Sequence, residues 1–305
     1  IRSGSLGSSP YNLFTFGSEV FFFANDGGGY TLWKTDGTSG GTSEVSSSMV
    51  GSDNCQYSHR NCMVEAGSSL FILASGELYE YDGSSVTHLT SGINSVNSDR
   101  AMISLGDYVY FVVVWNGVNP WEYDLFRSDG STTEDITGGY TSLEHITTDG
   151  QKVYFSGSDA QNDGNDLWVF DPSDSSVTQL TTIGSVENEM FLVEDGCNAD
   201  HCDVIDFVGT YVIFNAHKLG DDGAPVSSGA SLYAYDTSDS SLERLTTTVV
   251  QGHDDVRDMN VIGSVAYFTA EYDIGLGQKA RGLFKTDGTF SGTSMVSSAP
   301  DGEWS

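Results

Sequence analysis

One short phrase returns six times along this chain, and it limits the possible folds more than any other feature. It reads Leu32-Trp33-Lys34-Thr35-Asp36-Gly37, then Leu78-Tyr79-Glu80-Tyr81-Asp82-Gly83, Leu125-Phe126-Arg127-Ser128-Asp129-Gly130 and Leu167-Trp168-Val169-Phe170-Asp171-Pro172. Leu232-Tyr233-Ala234-Tyr235-Asp236-Thr237 and Leu283-Phe284-Lys285-Thr286-Asp287-Gly288 complete the set. Copies roughly 50 residues apart signal an array of like units, each of which buries its apolar face on a neighbour.

Every unit has the same four short runs rich in Val, Ile, Tyr, Phe and Thr, bounded by Gly, Asp and Ser. Such runs read as strands. The segment Ser185–Asp195 (SVENEMFLVED) is the nearest thing to a helix, as one short turn. Six four-stranded antiparallel units call for radial packing, so the expected fold is an all-β, six-bladed β-propeller. The blades span about 11–50, 62–92, 100–139, 143–183, 202–248 and 257–298, after a flexible lead-in at 1–10 and before a tail at 299–305. The Leu-aromatic pair falls on the third strand, where its expected role is packing between blades. The Asp that follows is expected to accept backbone hydrogen bonds in a turn.

The first and last units are the most alike: Leu32–Thr42 reads LWKTDGTSGGT and Leu283–Thr293 reads LFKTDGTFSGT. This resembles the ELWKTDGTxxGT repeat, sometimes called hyalin-like, of secreted and surface proteins of marine microbes and algae. The resemblance implies propeller blades and an extracellular setting, and it carries no catalytic residue across.

Composition narrows the partners. With 43 acidic and 12 basic residues the formal net charge is -31. That field repels nucleic acid and anionic lipid, which need Lys and Arg to displace counterions. It attracts cations, so calcium is the candidate cofactor. No apolar run reaches the ~18 residues of a membrane span. The cysteines form two close pairs, Cys55/Cys62 and Cys197/Cys202. Local disulfides are the simplest pairing, and they imply secretion.

Irregular sequence collects on one face of such a propeller. The loops between second and third strands are expected at Asn116–Glu122, Asp159–Asp166, Lys218–Ala230 and Tyr272–Arg281, and the linkers between blades carry both cysteine pairs. Long loops on a rigid scaffold are where function concentrates. Aligning the units on the Gly that ends the first strand brings Arg100, Glu144, Asp203 and Arg257 to one level, with His145 and Asp258 beside them. That is a candidate polar ring at the channel mouth, suited to a sugar, a metal or acid/base work, or to salt bridges that close the mouth. A second candidate is the run Asp159, Asn162, Asp163, Asn165 and Asp166, whose oxygens around Gly164 suit calcium or a metal-free Asx-rich turn. Trp33 and Trp168 belong to the repeat and are expected in the core, whereas Trp115 and Trp121 lie in a loop.

The expected function is an extracellular, non-enzymatic propeller acting as a structural or interaction module, as a subunit of a surface assembly or filament. Its partners would be other extracellular proteins or glycans. The alternative is a secreted hydrolase or lyase acting on polysaccharide, or a glycan binder, that uses the polar ring.

Overall fold

A computed structural model describes residues 7–50, 62–90, 102–115, 122–159, 166–181, 190–192, 205–218, 231–246, 256–275 and 278–298. The chain is all-β among these residues and divides into two compact units, Ile1–Thr141 and Ser142–Ser305. The first unit holds three blades: β1–β4 (Tyr11–Phe16, Glu19–Asn25, Tyr30–Thr35, Ser43–Val50), β5–β8 (Met63–Ala66, Ser69–Ala74, Glu77–Tyr81, Val86–His88) and β9–β12 (Ile103–Leu105, Tyr108–Trp115, Glu122–Ser128, Thr133–Asp135). β13 (Tyr140–Thr148) crosses the boundary and opens the fourth blade with β14–β16 (Val153–Asp159, Asp166–Asp171, Ser176–Gln179). The fifth blade has β17–β21 (Met190–Leu192, Ile205–Val208, Tyr211–Lys218, Ser231–Asp236, Leu242–Arg244), and the sixth has β22–β25 (Arg257–Ile262, Val265–Gly275, Gln278–Thr286, Ser294–Ser298). Among the described residues all pairing is antiparallel: β1–β4, β5–β8 and β22–β25 are separate four-stranded sheets, β9–β16 form one eight-stranded sheet joined at Tyr123↔Tyr140, and β17 and β18 both pair with β19.

The repeated Leu sits where the sequence places it, on the third strand, and four of the copies pack on the next blade within their own unit. Leu32 packs with Met63, Leu70 and Ile72 of blade two, and Leu78 packs with Met102, Val109 and Phe111 of blade three. In the second unit Leu167 meets Val212 and Phe214, and Leu232 meets Ala266 and Phe268. Leu32, Leu78, Leu125, Leu167 and Leu232 are all 0% exposed, whereas Leu283 of blade six is 38% exposed. Full burial of such a side chain contributes about 1.5–3 kcal/mol.

The Asp of the repeat closes a turn in every blade. Asp36, Asp82, Asp129, Asp171, Asp236 and Asp287 each accept the N–H two residues on, at 2.8–3.0 Å. These are Asx turns. In blades one and six the longer TDGTxxGT motif adds a second layer. The Thr38 hydroxyl donates to Asp36 and accepts from Gly41 N–H, and the Thr42 hydroxyl donates to the Thr38 carbonyl. Thr289, Gly292 and Thr293 repeat these contacts around Asp287. A Cβ on Gly41 or Gly292 would fall 2.0 Å from the Asp carboxylate, so the motif requires Gly there.

Blades two to five close differently. Thr90, Thr137, Thr181 and Thr246, just after the fourth strand, accept from the N–H of the repeat Leu at 2.9 Å. The residue before each Thr donates its N–H to the carbonyl of the same Leu. A Leu-Thr or Ile-Thr pair thus latches the outer strand to the Leu that anchors the blade.

Two expectations need correction. Met190–Leu192, inside the segment read as a helical turn, is strand β17, paired with Ala216–Lys218 of β19. Its apolar triplet gains more from a ladder on an existing sheet than from one isolated turn. Tyr272–Arg281 is also mostly strand rather than loop: β23 and β24 continue their pairing to Gly275↔Gln278. Alternating residues such as Glu271, Tyr272 and Ile274 suit an extended two-stranded ribbon.

The packing predicts that Leu78→Ala lowers unfolding free energy by about 2–5 kcal/mol in urea titration, while Leu283→Ala costs well under half as much. The turns predict acid sensitivity. Hydrogen bonds from the hydroxyls and amides that follow hold the Asp36, Asp82, Asp129, Asp236 and Asp287 carboxyls below the usual range, and Lys152 together with Ser173 brings Asp171 down to about 2. Lowered folded pKa values give stability that is present above the unfolded value of about 3.9 and lost as pH falls through the folded values. The melting temperature should therefore drop between pH ~4 and ~2. An Asp82→Asn/Asp129→Asn double variant, which keeps the acceptor oxygens, should show a shallower drop; an unchanged slope would count against the turn account.

Candidate functional site

Directly across from each repeat Leu, on the second strand, stands one residue of the same face. In the first unit it is apolar: Phe23 opposite Leu32, Leu73 opposite Leu78 and Val112 opposite Leu125. In the second unit it is polar: Ser156 opposite Leu167, Asn215 opposite Leu232 and Thr269 opposite Leu283. Ser156 is 0% exposed and Asn215 8%. Polar atoms in such places lose water and must be paired to be tolerated.

The first strand extends this level of the sheet. β1 carries a bulge between Tyr11 and Phe14, and β22 carries one between Arg257 and Asn260. The bulges set Tyr11 against Phe23 and Arg257 against Thr269. In blade one the result is apolar, with the Tyr11 and Phe23 rings stacked 5.5 Å apart. Asn12 and His145, at matching positions in blades one and four, both adopt a left-handed backbone, with φ of 52° and 47°. Bulges and left-handed residues at strand ends re-aim side chains, and they recur next to functional sites.

In blade four, His145 Nδ1 lies 3.5 Å from Ser156 Oγ. That is too long to activate the hydroxyl as a nucleophile, yet it places an imidazole at the same level. In blade six, Arg281 donates to Thr269 Oγ1 at 3.4 Å and pairs with Glu271 at 3.7 Å. Blade five has the most unusual arrangement. Among the described residues, β18 pairs with β19 from Tyr211 to Phe214 and β17 pairs with it from Ala216 to Lys218. Asn215 Nδ2 donates to the Val256 carbonyl at 3.0 Å, but its buried Oδ1 receives no hydrogen bond. On the same face, Asp206 pairs across the sheet with Ile213. Burial raises the Asp206 carboxyl above the usual range, against a hydrogen bond from the Phe207 N–H.

The predicted residues fall unevenly on this geometry. His145 lies on it, and the backbones of Glu144, Arg257 and Asp258 do as well, though their side chains, like Arg100 and Asp203, lie outside the described residues. Of the proposed calcium run, Asn162, Asp163, Asn165 and the Asp159 side chain are also outside. Asp166 is 1% exposed, and both its oxygens accept from protein groups, Gln179 Nε2 at 2.6 Å and Thr181 Oγ1 at 2.9 Å. That makes it part of the blade-four latch. Cys62 is buried and is not a free thiol, while Cys55, Cys197 and Cys202 lie outside the described residues. No group of three or more His, Cys, Asp or Glu able to hold a metal occurs among the described residues. Trp168 is in the core with Nε1 donating to the Gly157 carbonyl, and Trp33 is half-buried. Trp115 ends strand β10, packs against the core cluster shared by the second and third blades, and donates to the buried Asp124.

Asn215 and Asp206 were not singled out from the sequence, yet a signal exists. Six residues after the first-strand Gly stand Phe23, Leu73, Val112, Ser156, Asn215 and Thr269. The change from apolar to polar is legible once the second strands, and not only the first, are aligned.

The sequence matches no protein-family model and no curated protein. Among solved structures, the chain resembles an oligogalacturonate lyase in complex with manganese (12% identity, TM-score 0.50), covering 98% of this chain and 79% of that one. It also resembles the oligogalacturonate lyase of Vibrio parahaemolyticus (11%, TM-score 0.51, covering 96% and 78%) and a prolyl endopeptidase (11%, TM-score 0.54, covering 95% and 42%). At these identities the likeness establishes a β-propeller-like fold. The expectation of a non-enzymatic structural module is corrected by these neighbours, all three of which are enzymes. The physical reason lies in the second unit. Ser156 and Asn215 replace apolar residues at a buried packing level, which weakens a scaffold and which packing alone does not call for.

Proposed function

We propose that the chain is a secreted enzyme acting on polysaccharide, a hydrolase or lyase, built on a six-bladed propeller of hyalin-like repeats. The observation that carries this reading is the set of polar residues at and beside the repeat-Leu level of the second unit: His145 with Ser156, Thr269 with Arg281, and Asn215 with Asp206 diagonally placed two residues along the sheet. Hydroxyl, amide, imidazole and carboxyl groups gathered in this way suit the alternating donors and acceptors of a sugar. A propeller assembles such groups from different blades, so no short motif marks them. The net charge of -31 favours a neutral glycan over a polyanionic one, since like charges repel across the whole field. Secretion fits the paired spacing of the cysteines, with Cys55–Cys62 and Cys197–Cys202 as the proposed bridges. Calcium remains part of the proposal at residues 159–165, with Asp166 committed to its latch.

The decisive assay is a panel of neutral and acidic polysaccharides, read by reducing ends for hydrolysis and by the ultraviolet absorbance of an unsaturated product for elimination. Cleavage of a neutral member is expected, and His145→Ala should reduce it at least tenfold without lowering the melting temperature by more than a few degrees. Absence of cleavage and of binding across the panel would overturn the reading. Calcium has a separate test. A native-state ligand raises the melting temperature, so the protein should melt higher with calcium than with chelator, and equal values would remove the cation.

A further inference from the structure

Asp206 of β18 and Asn215 of β19 stand on one face of the fifth blade. Asn215 Oδ1 is buried without a donor, although its own amide is anchored on Val256. Asp206 Oδ1 accepts from the Phe207 N–H at 2.7 Å, which leaves Oδ2 to carry a proton. Asp206 is opposite Ile213, and Asn215 lies two residues further along β19, so the side chains are diagonal neighbours on the sheet. Diagonal pairs are within reach of each other for side chains of this length. The same face carries Tyr211 and Ile213 from β19 and is packed by Met259 and Val261 of β22; of these Tyr211 is titratable, its hydroxyl held above the usual range by burial and by Asp236. On β22 the charged residues are Arg257 and Asp258, whose side chains lie outside the described residues, as does that of His217 on β19.

We propose that Asp206 is the proton donor of the glycan site and that Asn215 positions it, its amide carbonyl receiving the carboxylic O–H. The inference rests on the polysaccharide-acting reading and assigns the chemistry within it. In hydrolysis, the Oδ2 proton passes to the leaving glycosidic oxygen as its bond to the anomeric carbon breaks. Water then adds its oxygen to that carbon, and the proton it releases restores the acid. Burial that holds the acid form up toward working pH suits this role. Matching first-strand positions in the first unit are Phe14, Val64 and Ile103, so a carboxyl here is a departure from the scaffold's own pattern.

Two measurements on the full chain decide the matter. The first is a carbon-detected NMR titration of the Asp206 carboxyl. It should titrate above the ordinary aspartate value of about 3.9, and Asn215→Ala should lower it by removing the acceptor of the acid form. Ordinary titration, or indifference to Asn215→Ala, overturns the pairing whether or not a glycan is cleaved. The second is the rate on the neutral polysaccharide that the wild type cleaves best. Asp206→Asn should lower kcat by about 10²–10⁴-fold with little change in KM. It should also raise the melting temperature at neutral pH, because it removes a poorly solvated charge. Asn215→Ala should shift the acid-to-base limb of the pH profile downward, which a merely structural role would not do. Full activity of Asp206→Asn overturns the donor assignment. An inactive wild type with a raised, Asn215-dependent titration would instead leave the pair standing and sink the glycan reading.

Discussion

Burial of the repeat Leu against the following blade, as at Leu32, Leu78, Leu167 and Leu232, is the contact on which the rest depends. It fixes which face of the third strand points inward, and through cross-strand pairing it fixes the face of the second strand too. Each Leu also has its backbone held from outside, by a Thr of the closing strand in blades two to five. Packing and latch therefore act on the same residue. The Asx turn four residues on sets the direction of return and lets the outer strand reach the latch. Loss of the Leu would remove the anchor for both.

This dependence explains why polar groups at the same level are informative. A Ser or Asn opposite the anchoring Leu gives up apolar contact and loses water, and Asn215 does so with one oxygen unpartnered. The first unit shows that the scaffold accepts Phe23, Leu73 and Val112 in those places. The second unit departs from that solution in three blades, with Ser156, Asn215 and Thr269 in those places. Departures from local consistency that gather on one level mark where stability gives way to chemistry.

Much of the fold was legible because its signals are local and repeated. Period-two apolar runs gave the strands, and Asp-Gly, Asp-Pro and Asp-Thr gave the turns. The strand β17 was missed because three apolar residues in an acidic context show no period; its partner, β19, supplies the reason for its form. The ribbon of β23 and β24 was missed because charged and aromatic residues alternate there, as they do in loops. The site was only partly legible. Counting six residues back from a Gly found Glu144, with His145 beside it, but bulges in β1 and β22 change the register from blade to blade, so a fixed count does not track one level. Asn215 and Asp206 are ordinary residues in the sequence. Their character comes from cross-strand partners that only the pairing reveals.

The central claim is that ligand chemistry belongs to the second unit at the level of its anchoring leucines. Hydrogen exchange read by mass spectrometry, with and without a mixture of neutral cello- and xylo-oligosaccharides, tests it most directly. The account predicts slowed exchange in peptides covering 145–156 and 205–215, with the matching peptides 12–23 and 62–73 unchanged. Slowing confined to the first unit, or no slowing anywhere at saturating sugar, would contradict it.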